Sequence, residues 1–116
     1  MDAPKFIASD IDGTFLNPDH RVVPRNRDVV TRAVEDGAKF ALATGRPHRW
    51  IQPILEQIPL RPLCVTSNGA VVYDSDQDRI LRAIEMDSAA MNEIVTTVQE
   101  IMARHGEVSF AVERAG

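Results

Sequence analysis

The chain has 116 residues, a formal net charge of −4, 44% apolar and 26% charged residues, the balance of an ordinary globular domain, which excludes disordered and fibrous classes. Acidic and basic residues are interspersed, so no clustered basic face marks a nucleic-acid partner. A single cysteine, Cys64, excludes an internal disulfide or a cysteine zinc site and suits a reducing compartment. No basic stretch leads into a long apolar segment after Met1, and no apolar run nears the roughly 20 residues of a membrane span. A cytoplasmic protein with no membrane partner is expected.

In chain order, Phe6-Ile7-Ala8 reads as a buried strand ending in polar residues and Gly13. Arg25 to Asp36 reads as a helix with Val29, Val30, Ala33 and Val34 on its apolar face. Pro24 suits its first turn and Gly37 its stop. Phe40-Ala41-Leu42-Ala43 is a second strand. Pro47 then opens a helix that buries Ile51, Ile54, Leu55 and Ile58, with Pro53 predicting a late start or a kink near Trp50. Leu63-Cys64-Val65-Thr66 is a third strand, and this alternation predicts an α/β fold, a parallel sheet flanked by helices.

The remaining chain follows another pattern. Ala70 to Tyr73 and Ile80 to Ala83 bracket the polar turn Asp74 to Asp78, an expected antiparallel hairpin. Asp87 caps a helix carrying Met91, Ile94, Val95, Val98, Ile101 and Met102 on one side, stopped by Gly106. Val108, Phe110 and Val112 alternate with polar or small residues, as a half-buried strand would. That strand needs sheet partners, so either the chain is truncated or the strand pairs with a second copy.

Each of the three parallel strands ends in a short polar residue followed closely by glycine. The first gives Asp10-Ile11-Asp12-Gly13-Thr14, the second Thr44-Gly45-Arg46, the third Ser67-Asn68-Gly69. Ligands of open α/β sheets bind beyond the carboxyl ends of the strands, so these segments are expected on one rim. Two carboxylates two residues apart in extended chain share a side, where they can hold a hard cation such as Mg²⁺ or divide nucleophile and acid/base work. Thr44 and Asn68 offer hydrogen bonds to phosphoryl oxygens, and Arg46 offers charge at a helix start. Each also has a plainer reading: Thr44 as a helix cap, Arg46 as a solvated side chain, Asn68 as a turn former. An EF-hand is excluded, since its third acid and closing glutamate are missing. His20, His48 and His105 lack metal-ligand spacing and are expected at the surface or at helix ends; Trp50 is expected to pack.

Phe6 to Leu16 resembles the first motif of the haloacid dehalogenase (HAD) superfamily, an apolar strand followed by Asp-x-Asp-Gly-Thr. Ala43-Thr44-Gly45-Arg46-Pro47 is similar to its second motif as found in Cof-type (subclass IIB) sugar-phosphate phosphatases, and Ser67-Asn68-Gly69-Ala70 is similar to a further element of that subgroup. The resemblance implies a HAD-like Rossmannoid core over residues 1–84 and the incomplete beginning of an α/β cap over 85–116. It also implies that Asp10 is the nucleophile and forms an aspartyl-phosphate, and that Asp12 is the general acid and base. By the same resemblance the Asp10 carboxylate and the Asp12 carbonyl hold Mg²⁺, and Thr44 binds the phosphoryl group, with Gly13, Gly45, Arg46 and Asn68 completing the phosphate and substrate contacts. The implied substrate is a small phosphorylated metabolite.

The family also uses a third-motif lysine and a fourth-motif acidic pair. No lysine follows Lys39, and Asp74, Asp76 and Asp78 belong to a hairpin turn. A weak or inactive catalyst is therefore expected from this chain alone. The competing expectation is a non-catalytic fragment, or a phosphate- or metal-binding module; a phospho-accepting receiver domain would need a late lysine that is missing. An incomplete cap would also expose apolar surface that favours self-association.

Overall fold

The computed structural model describes residues 2–115. Its centre is a five-stranded sheet of strands β1 (Phe6–Asp10), β2 (Lys39–Ala43), β3 (Leu63–Thr66), β4 (Val71–Asp74) and β5 (Arg79–Ala83), in that spatial order. The first three run parallel, and β4 and β5 return antiparallel as the expected hairpin. Helix α1 (Pro24–Glu35) links β1 to β2, and the short helix α2 (Gln52–Leu55) lies between β2 and β3. This is the expected α/β fold, with mixed rather than wholly parallel pairing.

Register builds the core. Ile7 pairs with Phe40, Leu42 with Cys64, Cys64 with Tyr73 and Tyr73 with Ile80, so one face of the sheet carries a continuous apolar row. Ile51, Ile54, Leu55 and Ile58 cover that row together with Phe15, Leu16 and Val22, while Val30 and Val34 of α1 pack against its margin. A one-turn helix at His48–Trp50 precedes α2, and Ile51 separates the two, so the expected interruption near Trp50 is present. The Cys64 thiol is buried in this layer, and burial pushes its pKa up to about 12. It packs as a small apolar group.

Two expectations of burial need correction. Strand β1 is an edge strand, so it alternates between exposed and half-buried positions, and Phe6 is 60% exposed. In α1 the inward face is Val30, Ala33 and Val34; Val29 lies one position off that stripe and is exposed. Sequence periodicity gives the stripe but not its edges.

Contacts divide the chain into two compact units, Met1–Ala83 and Ile84–Gly116. The second contains helix α3 (Ser88–Met102), whose N-cap Asp87 accepts a hydrogen bond from the Ala90 N–H at 2.7 Å. Gly106 follows with φ of 124°, and its N–H reaches the Met102 carbonyl. Met91, Val95, Val98 and Met102 are half-buried, while Ile94 and Ile101 are exposed. The strand expected through Val108, Phe110 and Val112 does not form: residues 103–115 include no strand. Alternation alone cannot make a strand where no described neighbour supplies the ladder.

Leu42 is fully buried in β2, between β1 and β3. Leu42→Ala is expected to lower the free energy of unfolding by about 2–5 kcal/mol in urea denaturation. A loss below about 1 kcal/mol would contradict this placement of the core.

Candidate active site

The parallel register sets the rim. Asp10 pairs with Ala43, and Ala43 pairs with Val65, so the three strands end almost level. Beyond β1 the chain does not stay extended. Residues Ile11–Phe15 form a wide turn closed by the Leu16 N–H on the Ile11 carbonyl at 3.0 Å, with Gly13 at φ of 77°. Fully buried Ile11 plugs this turn into the core, leaving Asp10 and Asp12 exposed on either side of it. The extended geometry expected for the two aspartates is thus replaced by strand end and turn.

A small hairpin follows. Leu16 bridges Val22, and the Asn17 N–H reaches the Arg21 carbonyl at 2.8 Å. The Asn17 side chain shapes the tip by accepting hydrogen bonds from the Asp19 and Arg21 N–H groups. Gln57 anchors its base, accepting from the Val22 N–H at 2.8 Å. His20 sits at the tip in a left-handed conformation, φ 59°, with Nδ1 4.0 Å from Asp12 Oδ1.

The second and third strand ends are stitched together by backbone. Thr44 N–H donates to the Val65 carbonyl, Ser67 N–H to the Arg46 carbonyl at 2.9 Å, and Asn68 N–H to the Thr44 carbonyl at 3.2 Å. Ser67, Asn68 and Gly69 make this possible through three successive left-handed residues, φ 51°, 55° and 98°. Such a run is strained for the two non-glycine residues and persists only where its surroundings hold it. Gly45 lies beneath Asn68: a Cβ there would stand 2.9 Å from Asn68 Oδ1. Thr44 is buried, and its Oγ1 accepts the Arg46 N–H at 3.0 Å, so the hydroxyl hydrogen remains to be donated elsewhere.

Arg46 then reaches across to the first strand end. Its Nε donates to Asp12 Oδ2 at 2.9 Å and its terminal nitrogen to Oδ1 at 2.5 Å, a bidentate pair. That hydrogen bond from Arg46 holds the Asp12 carboxyl below its ordinary pKa, and the His20 side chain adds a smaller pull in the same direction. While it is paired with Arg46, the ionised form of Asp12 is favoured.

The structure brings Asp12, Thr44, Gly45, Arg46 and Asn68 into one connected cluster, with Asp10 paired to the residue before Thr44. Among the described residues no group of three His, Cys, Asp or Glu side chains gathers as a metal shell. The Asp10 carboxylate and the Asp12 carbonyl are nonetheless hard oxygen donors of the kind Mg²⁺ takes, since it binds through one or two carboxylates and keeps several waters. These residues fit part of a Mg²⁺ site. Sequence reasoning missed His20 and Gln57. Only the apolar Leu16 and Val22 flanking a five-residue polar segment that opens Asn-Pro-Asp hinted at the hairpin that brings them in.

Gly45→Ala is expected to cost about 1–2 kcal/mol of unfolding free energy by overpacking against Asn68. In an Asn68→Gly background, which keeps the left-handed turn, that cost should largely vanish. Equal costs in both backgrounds, measured by chemical denaturation, would show that Gly45 does not carry this contact.

A family model described as haloacid dehalogenase-like hydrolase matches residues 7–115. The HMP-PP phosphatase of Serratia proteamaculans is 38% identical over 93 residues, covering 80% of this chain and 34% of that protein. Phosphatase YwpJ of Bacillus subtilis is 36% identical over 72 residues, covering 62% of this chain and 25% of that protein. A solved haloacid dehalogenase-like hydrolase from B. subtilis superposes with a TM-score of 0.73 at 30% identity, over 84% of this chain and 34% of its own. The chain thus spans about a quarter to a third of the length of these relatives. With three strand-end motifs on one rim and the family match over nearly its whole length, the chain belongs to the haloacid dehalogenase-like hydrolases.

Proposed function

We propose that this chain supplies the nucleophile half of a Mg²⁺-dependent phosphatase site for a small phosphorylated metabolite. The observation that carries the reading is the level ending of β1, β2 and β3: Asp10 stands in register with Ala43, one residue before Thr44, on the rim where Arg46 meets Asp12. The relatives support it, being phosphatases by name; the one from Serratia acts on HMP-PP by that name. Phosphoryl transfer depends on positioning and charge stabilisation, which a rigid strand-end rim provides.

In this reading an Asp10 carboxylate oxygen attacks the substrate phosphorus, and the ester oxygen leaves with a proton that Asp12 takes up from solvent once it parts from Arg46. Water then attacks the aspartyl-phosphate, Asp12 taking the proton. The buried Thr44 hydroxyl donates to a phosphoryl oxygen, and the Thr44–Arg46 loop keeps its place because the Ser67–Gly69 turn holds both carbonyls. Mg²⁺, held by the Asp10 carboxylate and the Asp12 carbonyl, would offset the repulsion between the two anions. The second unit would begin a cap domain that chooses the leaving group. No helix among the described residues is long and apolar enough to cross a membrane, and the use of a single, buried cysteine fits a cytoplasmic setting.

This chain alone is proposed to turn over weakly. No lysine follows Lys39, and no third acid joins Asp10 and Asp12 among the described residues. Phosphate release from an aryl phosphate with Mg²⁺ is the test. Slow release abolished by Asp10→Asn supports the assignment. Release unchanged in Asp10→Asn would remove Asp10 as nucleophile, and robust turnover would overturn the claim of an incomplete site.

A further inference from the structure

We propose that Arg46 alternates between two anions, holding the Asp12 carboxylate when the site is empty and passing to the phosphoryl group when one binds. Asp12 is then a placeholder for substrate, as well as the acid and base of the proposed chemistry. The inference rests on the phosphatase reading and adds an exchange step to it.

Three observations carry it. First, the Asp12–Arg46 contact is bidentate, with Nε and a terminal nitrogen each on a separate carboxylate oxygen. A carboxylate presents two oxygens at the spacing that a phosphoryl group also presents, so one fork fits either anion. Second, the two partners differ in freedom. The Arg46 side chain is 23% exposed and rooted in a loop pinned by Thr44 and Ser67, whereas that of Asp12 is 49% exposed. Asp12 also precedes Gly13, where a Cβ would meet nothing within 4 Å. The carboxylate can swing aside while the guanidinium stays. Third, the Arg46 fork lies on the rim where Thr44 has a hydroxyl hydrogen to donate. Thr44 and Arg46 share one short loop, so the exchange lets a single phosphoryl group engage both.

The exchange has a physical direction. A phosphate monoester near neutral pH carries close to two negative charges, so it competes well against one carboxylate for a guanidinium. Displaced Asp12 then turns toward the leaving oxygen, where its chemistry is needed. In the empty site the same pair cancels the arginine charge and blunts the capture of unrelated anions.

The test uses inorganic phosphate as the probe, with Mg²⁺ held constant, on the chain and on Asp12→Asn, Arg46→Gln and the double variant, with folding checked by circular dichroism. Asp12→Asn should bind phosphate roughly three- to tenfold more tightly, the worth of a partly exposed ion pair removed from competition. Arg46→Gln should bind more weakly, and the gain from Asp12→Asn should disappear in its background. A gain that persists without Arg46 reports only bulk charge and overturns the exchange, as does no gain at all. The Arg46 Nε–H signal in ¹⁵N NMR gives a second readout: it should move on adding phosphate and on Asp12→Asn alone. A signal that ignores phosphate while Thr44 responds also overturns the exchange. Absence of phosphate binding by every variant would remove the phosphatase reading together with it.

Discussion

Parallel register is the constraint on which the site depends. Asp10, Ala43 and Val65 stand abreast, so the chain leaves three neighbouring strands at one height and must turn three times in a small space. Each turn is solved differently. After β1 the buried Ile11 plugs a wide turn; after β2 the small Gly45 lets the third turn close over it; after β3 three left-handed residues fold back to hold the Thr44 and Arg46 carbonyls. Sheet hydrogen bonding, rather than any side-chain contact, therefore brings residues from positions 10 to 68 together.

Charge is arranged on that scaffold with little room to spare. Asp12 and Arg46 satisfy each other, His20 faces the same carboxylate from the hairpin tip, and Asp10 stays exposed at the strand end. The Arg46 guanidinium on this rim is already engaged by Asp12. In the proposed exchange the relevant energies are those of competition among partners for that guanidinium.

Much of this was legible in the sequence because short apolar runs and glycine stops report local geometry. The three strand ends, the caps of α1 and α3 and the break before α2 all follow from a few neighbouring residues. What escaped depends on distant ones. The exposure of Phe6 follows from β1 lying at the sheet edge, and that of Val29 from where α1 meets the core. The alternation of Val108, Phe110 and Val112 resembled a strand but finds no ladder among the described residues. Asn68 read as a possible hairpin former; the structure gives it a left-handed turn that locks the loop bearing Thr44. The Arg46–Asp12 pair joins residues 34 positions apart, and no spacing rule reveals it. The site residues were thus visible one by one, while their connections were not.

The central claim is that Asp10 is the phosphoryl acceptor on a rim it shares with Thr44, Arg46 and Asn68. Beryllofluoride, which mimics an aspartyl-phosphate, tests it directly by ¹⁹F and amide NMR in the presence of Mg²⁺. The account predicts a bound fluoride signal that is lost in Asp10→Asn, with amide shifts concentrated at Thr44, Gly45, Arg46 and Asn68. A bound signal that survives Asp10→Asn, or shifts that avoid those residues, would contradict it.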